Sequence, residues 1–541
     1  MNASKGFLAI LVSALCVLGA ARVARAAGRL PPIERVEILP QRAIAVNGAP
    51  FLPRMAWLLD PGKLPAAKEC GMNVVAGYWP GSGGTKDVKE YLDRVQEAGL
   101  YGVMPFDERL RGHPALLGYI HDDEPDLPHP ESDAAVEPGE GLRLNSKTPL
   151  WKLVDGDTSS WSVLDPMEGA SVTIRLKEPV TASRLAVWLT ISPGLSVAKE
   201  IAFEADGREV LRARLEAKKG RQAFDLPEAV ELRELTLKVT RAAPGENVWG
   251  SIGEVEALNA AGENVILSPP RPVPRARPEE ILKRYRDFKR HDPDRPVFLT
   301  LTGYFHPQFK KWGEEHKTLY PEYVRACDVV GYDIYPIYGW NKPEWIHLVH
   351  EATELLVRMA GPRPVYAWIE TSKGGQWTGP LERQKDVTPR HIRAEVWMAL
   401  CRGATAIGYF THVWKPSYDP FGVPPRNREA LASVNAQLDR LAPVLLGGET
   451  PGRVSIEAEG SVKLDALARR KGEDLYVFAV NYDERDVPAR ATIRVEGLAA
   501  GRTVEVVDED RSIAASGGCF VDDLEPLDVH VYRIRDAFSG E

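Results

Sequence analysis

Leu117–Pro125 reads LGYIHDDEP: an uninterrupted apolar run, then a histidine and three acids, then a proline. A run without alternation suits a strand buried on both faces. Acids at its end are costly unless they are solvated, paired or put to use. Seven further stretches read the same way. PRMAWLL, NVVAGYW and YGVMPFD precede it; PVFLTLTGYF, DVVGYDIYPIY, PVYAWIETS and TAIGYFTHVW follow. Between them come segments of helical period: LPAAKECG, VKEYLDRVQEAG, PEEILKRYRDFKRH, PEYVRAC, PEWIHLVHEATELLVRMA and RHIRAEVWMALCRG. NREALASVNAQLDRLAPVLL closes the series, and a short segment ending LRGHPAL joins the third and fourth strands. Eight strands alternating with helices predict an α/β fold, a (β/α)8 TIM barrel. A doubly wound open sheet is the alternative, but no glycine-rich phosphate loop follows the first strand.

Working outward, residues 138–269 have a different texture. ASVTIRL, RLAVWL, KEIAFEA, REVLRARL, RELTLKVT and GEVEAL are short strands separated by turn residues, which predicts an inserted β-sandwich. Residues 448–541 again read as strands and predict a C-terminal β-sandwich. The barrel is thus discontinuous, 27–137 and 270–447, and opens on a hairpin turned by Asn47-Gly48. Residues 1–26 have the form of a signal peptide: Lys5, an apolar run from Phe7 to Ala21, and Ala24-Arg25-Ala26 before the cut. A secreted or periplasmic protein is expected, without membrane insertion after cleavage.

Of the 68 Lys and Arg, three (Lys5, Arg22, Arg25) lie before that cut, leaving 65 against 76 acids, a net charge of about −11. That balance disfavours nucleic acid as a partner. Cys70, Cys327, Cys401 and Cys519 are dispersed without metal-binding spacing, as structural thiols or one isolated disulfide would be.

Active sites of such barrels sit at the C-terminal strand ends. Strand four ends in Glu124 and strand seven in Glu370, on opposite sides of the mouth. Two facing carboxylates suit glycoside hydrolysis, one protonating the leaving oxygen and the other attacking the anomeric carbon. Carbohydrate is therefore the expected partner, with no cofactor for catalysis. His121, His306 and His412 lie near the mouth without metal-binding spacing, so hydrogen bonding to sugar hydroxyls is their expected role. Trp57, Tyr78, Trp79, Trp377 and Trp414 fall at or just past strand ends, as sugar platforms or as core filling.

The barrel segments, roughly 45–130 and 275–445, resemble the clan A glycoside hydrolases. The resemblance rests on VNGAPFLPRMAW, GYIHDDEP and YAWIETS. It implies Glu124 as general acid/base and Glu370 as nucleophile, with retention of anomeric configuration. It also places a nucleophile-bonding tyrosine at the end of strand six, where Tyr332 and Tyr335 flank Asp333 and Ile334. Asp123 stands where many of those enzymes have an asparagine that binds the sugar 2-hydroxyl, with Asp122 before it. The extra acids fit a raised pKa for an acid catalyst, an altered substrate or a site that has lost activity. A non-catalytic glycan-binding protein with a degenerate barrel is the alternative function.

The insert, through WKLVDGDTSSW and VWGSIGEVEAL, resembles the discoidin or coagulation-factor type C domain, which implies a jelly-roll sandwich. That resemblance implies a structural calcium site from Asp155, Asp157, Thr158 and Glu254, hard oxygen donors of the kind Ca2+ takes. A plain Asp-Gly turn is the alternative. Such domains serve both as carbohydrate-binding modules and as scaffolding.

Overall fold

The computed structural model describes residues 30–80, 86–310, 314–483, 485 and 487–538; the export segment read at residues 1–26 lies outside them. Eight strands close into a parallel barrel: Arg54–Trp57, Val74–Ala76, Tyr101–Pro105, Leu116–Ile120, Val297–Thr302, Val329–Asp333, Val365–Glu370 and Ala406–Phe410. Nearly every residue of these strands is buried, as their unbroken apolar runs demand. Large rings fill the interior because small residues face them. A Cβ on Gly331 would meet the Tyr366 ring at 2.1 Å, and one on Gly408 would meet the Trp368 ring at 2.1 Å.

The regular (β/α)8 alternation expected of a TIM barrel does not form, and that assignment is corrected. Strand three is followed by a three-residue 3₁₀ turn, Glu108–Leu110, in place of a helix. Among the described residues, the short helices Glu314–Lys317 and Tyr320–Val324 and a 3₁₀ turn, Gly303–Phe305, stand between strands five and six. Among the described residues strand takes 38% against 21% helix, so strand dominates. The physical reason at strand three is length: Phe106–Ala115 holds too few residues for a helix and two loops. Substantial helices do pack outside the later strands: Pro278–His291, His347–Ala360, Pro389–Cys401 and Pro425–Leu445.

The chain divides into two compact units, 1–127 with 274–541, and Pro128–Val273. The inserted unit is hydrogen-bonded as one seven-stranded antiparallel sheet, not as the two separate sheets of a jelly roll. Two long strands cause this, Ser171–Leu189 and Gly220–Ala243, which pair along most of their length through register shifts near Val180 and Arg184. Leu153, Val172, Leu185, Phe203, Leu237 and Val255 belong to its own core.

The C-terminal region forms a three-stranded and a five-stranded antiparallel sheet around a core that includes Val477, Ile493, Val504, Phe520 and Tyr532. It is fastened to the barrel by the Trp397 and Phe478 rings, stacked at 5.2 Å. Phe478, Val480 and Val531 join the barrel's own core. The opening hairpin turns at Asn47 and Gly48, both with positive φ (52° and 81°), as a tight two-residue turn requires. Cys70, Cys327, Cys401 and Cys519 are free thiols. No helix among the described residues is long and apolar enough to cross a membrane.

Candidate active site

Strand four delivers its acids on a strained turn. Glu124 has φ 48°, the left-handed region, which costs a non-glycine residue about 1–2 kcal/mol. Such strain is held only where neighbours over-determine it, and it gathers at functional sites. Here Asp126 is the clamp. Fully buried, it accepts the Thr302 N–H at 2.9 Å, the Thr302 hydroxyl, and the Tyr320 hydroxyl at 2.9 Å. Burial outweighs these donors and pushes its carboxyl up to about 7.

Three acids converge above this clamp. Asp333 ends strand six, in register with Trp368 and Thr302. Its Oδ1 is buried with no donor. Burial, and then the charges of Glu124 and Asp123, drive the Asp333 carboxyl well above the ordinary range. Asp123 is pushed up to about 8, by burial and by Glu124. Arg275 is the cation set against the group: it donates to the Asp123 carbonyl at 2.8 Å and stands 4.0 Å from Glu124. Tyr304 and Tyr335 face the same acids, and both phenols are raised, chiefly by burial.

Strand seven ends differently. Glu370 is fully buried and pairs in register with Phe410. Ile337 N–H donates to both of its oxygens, at 3.0 and 3.1 Å, and Tyr338 N–H donates at 2.6 Å. Burial still raises it to about 7. Glu395, from helix Pro389–Cys401, is equally buried with both oxygens lacking donors. Burial and the charge of Glu370 hold it well above the usual range. The carboxyl groups acting on Asp333 are Glu124, Asp123 and Asp126; the one acting on Glu370 is Glu395. The two sets adjoin through Tyr335, which feels the first, and Tyr338, which feels Glu370; their rings lie 6.0 Å apart.

An aromatic wall runs from strand eight towards these acids. Phe410 lies 4.9 Å from Tyr335 and stacks on Trp414 at 6.1 Å; Tyr418 lies 5.5 Å from Trp414 and 5.9 Å from Trp79. His412 is built into this wall, its Nε2 at 2.9 Å from the Trp57 carbonyl and its Nδ1 facing the Tyr418 hydroxyl at 3.2 Å. Burial lowers its pKa and keeps it neutral. Trp57 is buried against Trp368, and Tyr78 packs on Tyr91. Trp377, by contrast, is 87% exposed on a loop that is pinned. The Gln384 amide binds Gly374 N–H, Gly375 N–H and the Gly375 and Gly379 carbonyls, all within 3.0 Å. Lys415 and Thr378 add further ties.

Three of the expected site residues are engaged by groups of the protein itself. His121 points behind the barrel, stacked on Phe288 with Nε2 at 2.9 Å from the Ala326 carbonyl; burial lowers it to about 4, so it is neutral. His306 is held between the Gln308 N–H and Glu351. The Tyr332 hydroxyl meets the Val349 carbonyl and Thr353 at 2.7 Å and does not reach Glu370. Successive strand residues face opposite ways, so where Asp333 faces in, Tyr332 faces out. Arg275, Tyr304, Asp126 and Glu395 were not singled out in the sequence. Asp333 satisfies the same rule as Glu370, an acid closing a buried strand, whereas Arg275 lies in a Pro/Arg-rich stretch that reads as linker.

In the insert, Asp155 and Glu254 are brought together, both buried. Glu254 accepts the Gly156 N–H at 3.0 Å through one oxygen; the other is buried without a donor. Burial, with the nearby Asp155 charge, raises it to about 8. Asp157 turns instead to Ser159, and Thr158 is exposed. Among the described residues no group of three or more His, Cys, Asp or Glu is placed to hold a metal ion.

No family model matches the chain, and no curated protein matches it. Solved structures with similarity include the CBM32-1 and CBM32-2 domains of Clostridium perfringens ZmpB in complex with GalNAc. Identity there is 17% over 23% of this chain and 32% of that one, with a TM-score of 0.20. An Anoxybacillus alpha-amylase shares 11% identity over 49% of this chain and 58% of that one, TM-score 0.33. The CBM32 of AlyQ in complex with 4,5-unsaturated mannuronic acid shares 16% over 25% of this chain and 99% of that one, TM-score 0.20. This chain therefore spans well under two thirds of the first two.

Proposed function

We propose that this chain is a glycoside hydrolase working from the strand-four end of its barrel, with Glu124 as the residue that gives and takes the proton at the glycosidic oxygen. The observation that carries this is the strained, half-buried Glu124 at the barrel mouth, whose charge acts on the buried Asp333. In the first step the glycosidic C–O bond breaks, its electrons stay on the leaving oxygen, and that oxygen takes the Glu124 proton. Water then supplies hydroxide to the anomeric carbon and returns a proton to Glu124. The aromatic wall and Trp377 offer faces for the C–H sides of pyranose rings.

The resemblance assigns Glu370 as nucleophile and retention as outcome, and we keep that assignment as the second half of the proposal. It requires the Ile337–Tyr338 amides to yield Glu370 to substrate. A glycan-binding protein with an inactive barrel is the second reading, favoured by the complete burial of Glu370. Screening aryl glycosides and polysaccharides, with product anomers followed by NMR, separates the two. Retained product supports the full proposal, inverted product removes Glu370 as nucleophile, and binding without turnover on every substrate favours the second reading.

The insert contributes two further proposals. Arg143, paired with Asp165 at 3.0 Å, lines a cavity of about 360 Å³ together with Asn145, Ser146 and Trp249, and suits a single sugar ring. Asp155 and Glu254 would share a structural calcium, the donorless Glu254 oxygen being the atom that fits a cation. Export to the periplasm or beyond rests on the signal-like residues 1–26.

A further inference from the structure

We infer that Arg275 is a positioning residue for Glu124, holding the strand-four turn in the conformation that presents that carboxylate at the barrel mouth. This rests on the reading of Glu124 as the proton-transfer residue and deepens it. Glu124 has φ 48° and is followed by Pro125, and a proline pushes the residue before it towards extended backbone. The turn has no local reason to stay left-handed, so contacts from elsewhere in the chain must hold it.

Arg275 supplies contacts at both ends of the turn. The φ of Glu124 follows the orientation of the peptide before it, and Arg275 Nη1 donates to that peptide's oxygen, the Asp123 carbonyl, at 2.8 Å. At the far end the Arg275 N–H donates to the Leu127 carbonyl at 3.1 Å. The Ala276 N–H donates to the Pro125 carbonyl at 2.9 Å, and the Leu127 N–H closes the turn on the Glu124 carbonyl at 3.0 Å. A guanidinium is planar and rigid, so fixing Nη1 also fixes Nη2, which lies 4.0 Å from Glu124 Oε2. One side chain thus sets a backbone angle of Glu124 and faces its carboxylate. The gripping segment is itself braced by helix Tyr320–Val324. Its Tyr323 hydroxyl donates to the Ala276 carbonyl at 2.6 Å and its Tyr320 hydroxyl to Asp126 at 2.9 Å, so one helix holds both the turn and the segment that grips it. Asp122, the other acid before Glu124, is drawn off to Arg284 at 2.6 Å. The Arg275 side chain is 49% exposed, so a small cation from solvent can take the place of its guanidinium once it is removed.

The test is a crystal structure and steady-state kinetics of Arg275→Ala in the full chain, beside wild type and Glu124→Gln. The crystal structure should show the Asp123 carbonyl turned and the φ of Glu124 relaxed to negative values; an unchanged φ overturns the positioning role. On a cleaved glycoside, kcat should fall about 10- to 100-fold with KM within about twofold. Free guanidinium ion at millimolar concentration should restore part of kcat, which a general loss of folding would not allow. In the Glu124→Gln background the same substitution should lower kcat no further, because Arg275 acts through that carboxylate; an equal loss in both backgrounds overturns the inference. Where Arg275→Ala fails to fold, Arg275→Met, which keeps the aliphatic stem and loses the donors, is read in each comparison instead. A relaxed turn in a protein whose wild type cleaves no glycoside leaves Arg275 as the holder of the turn and removes the hydrolase reading.

Discussion

The Tyr338 N–H donates to Glu370 at 2.6 Å, tying the end of strand seven to the loop that follows strand six. That loop also carries Tyr335, which packs on Tyr338 and on Phe410 of the aromatic wall.

Glu370 therefore has a structural task whatever its chemistry. Glu370→Gln should cost about 1–3 kcal/mol of stability, because one acceptor oxygen is replaced by a donor facing two backbone amides. Glu370→Ala should cost more, leaving both amides unpaired. Urea denaturation measures this. An unchanged midpoint in both variants would contradict the anchoring role.

Stability should fall as pH rises across neutrality. Asp123, Asp126, Glu254 and Glu370 have folded-state values of about 7 to 8, above those of the unfolded chain. The folded state then binds protons more tightly. Its stability is greatest below the unfolded carboxylate values, near 4, and is lost progressively as pH rises through 7 to 8. Opposing this, Asp483 is depressed by Arg485. Asp522 is also depressed, its burial outweighed by His530, Arg511 and Tyr532. Both contributions vanish as pH falls below about 4. Thermal melting should therefore peak near pH 4; a melting temperature that climbs steadily from pH 5 to 8 would contradict this.

Calcium offers a way to reverse part of that loss. If Asp155 and Glu254 hold the ion, Ca2+ at a hundredfold over its Kd should add about 2.7 kcal/mol. The gain should be larger at pH 8 than at pH 5, because Glu254 must lose its proton to bind. Differential scanning calorimetry with and without chelator reads the effect, and Glu254→Gln should abolish it. A chelator-insensitive melt at both pH values would remove the site.

Trp377 should matter to ligand and not to fold. It is 87% exposed on a pinned loop, so Trp377→Ala should leave the melting curve unchanged. A lost ring contact of about 0.5–1.5 kcal/mol would raise KM roughly two- to tenfold at constant kcat. Steady-state kinetics on any cleaved glycan checks this, and unaltered KM would remove Trp377 as a platform.

The barrel strands were legible because burial on both faces leaves an unbroken apolar run, and Asn47-Gly48 marked its turn directly. The helical wrapping was less legible. Phe106–Ala115 read as a short joining segment and holds only a 3₁₀ turn, so the ring of helices expected from the alternation elsewhere is broken there. At the mouth, position along a strand was readable while direction was not. His121 and Tyr332 sit at strand ends as expected yet face away, because the pleat sends neighbours to opposite sides. Glu395 left no trace at all. It meets Glu370 across a helix–strand contact that no local pattern encodes.

The most direct test of the account is kcat/KM for wild type and Glu124→Gln on the first glycoside found to be cleaved. Loss of the acid/base should lower it by about 10²–10⁴-fold with the melting curve preserved. Undiminished cleavage by a folded Glu124→Gln enzyme would contradict the assignment of chemistry to the strand-four end.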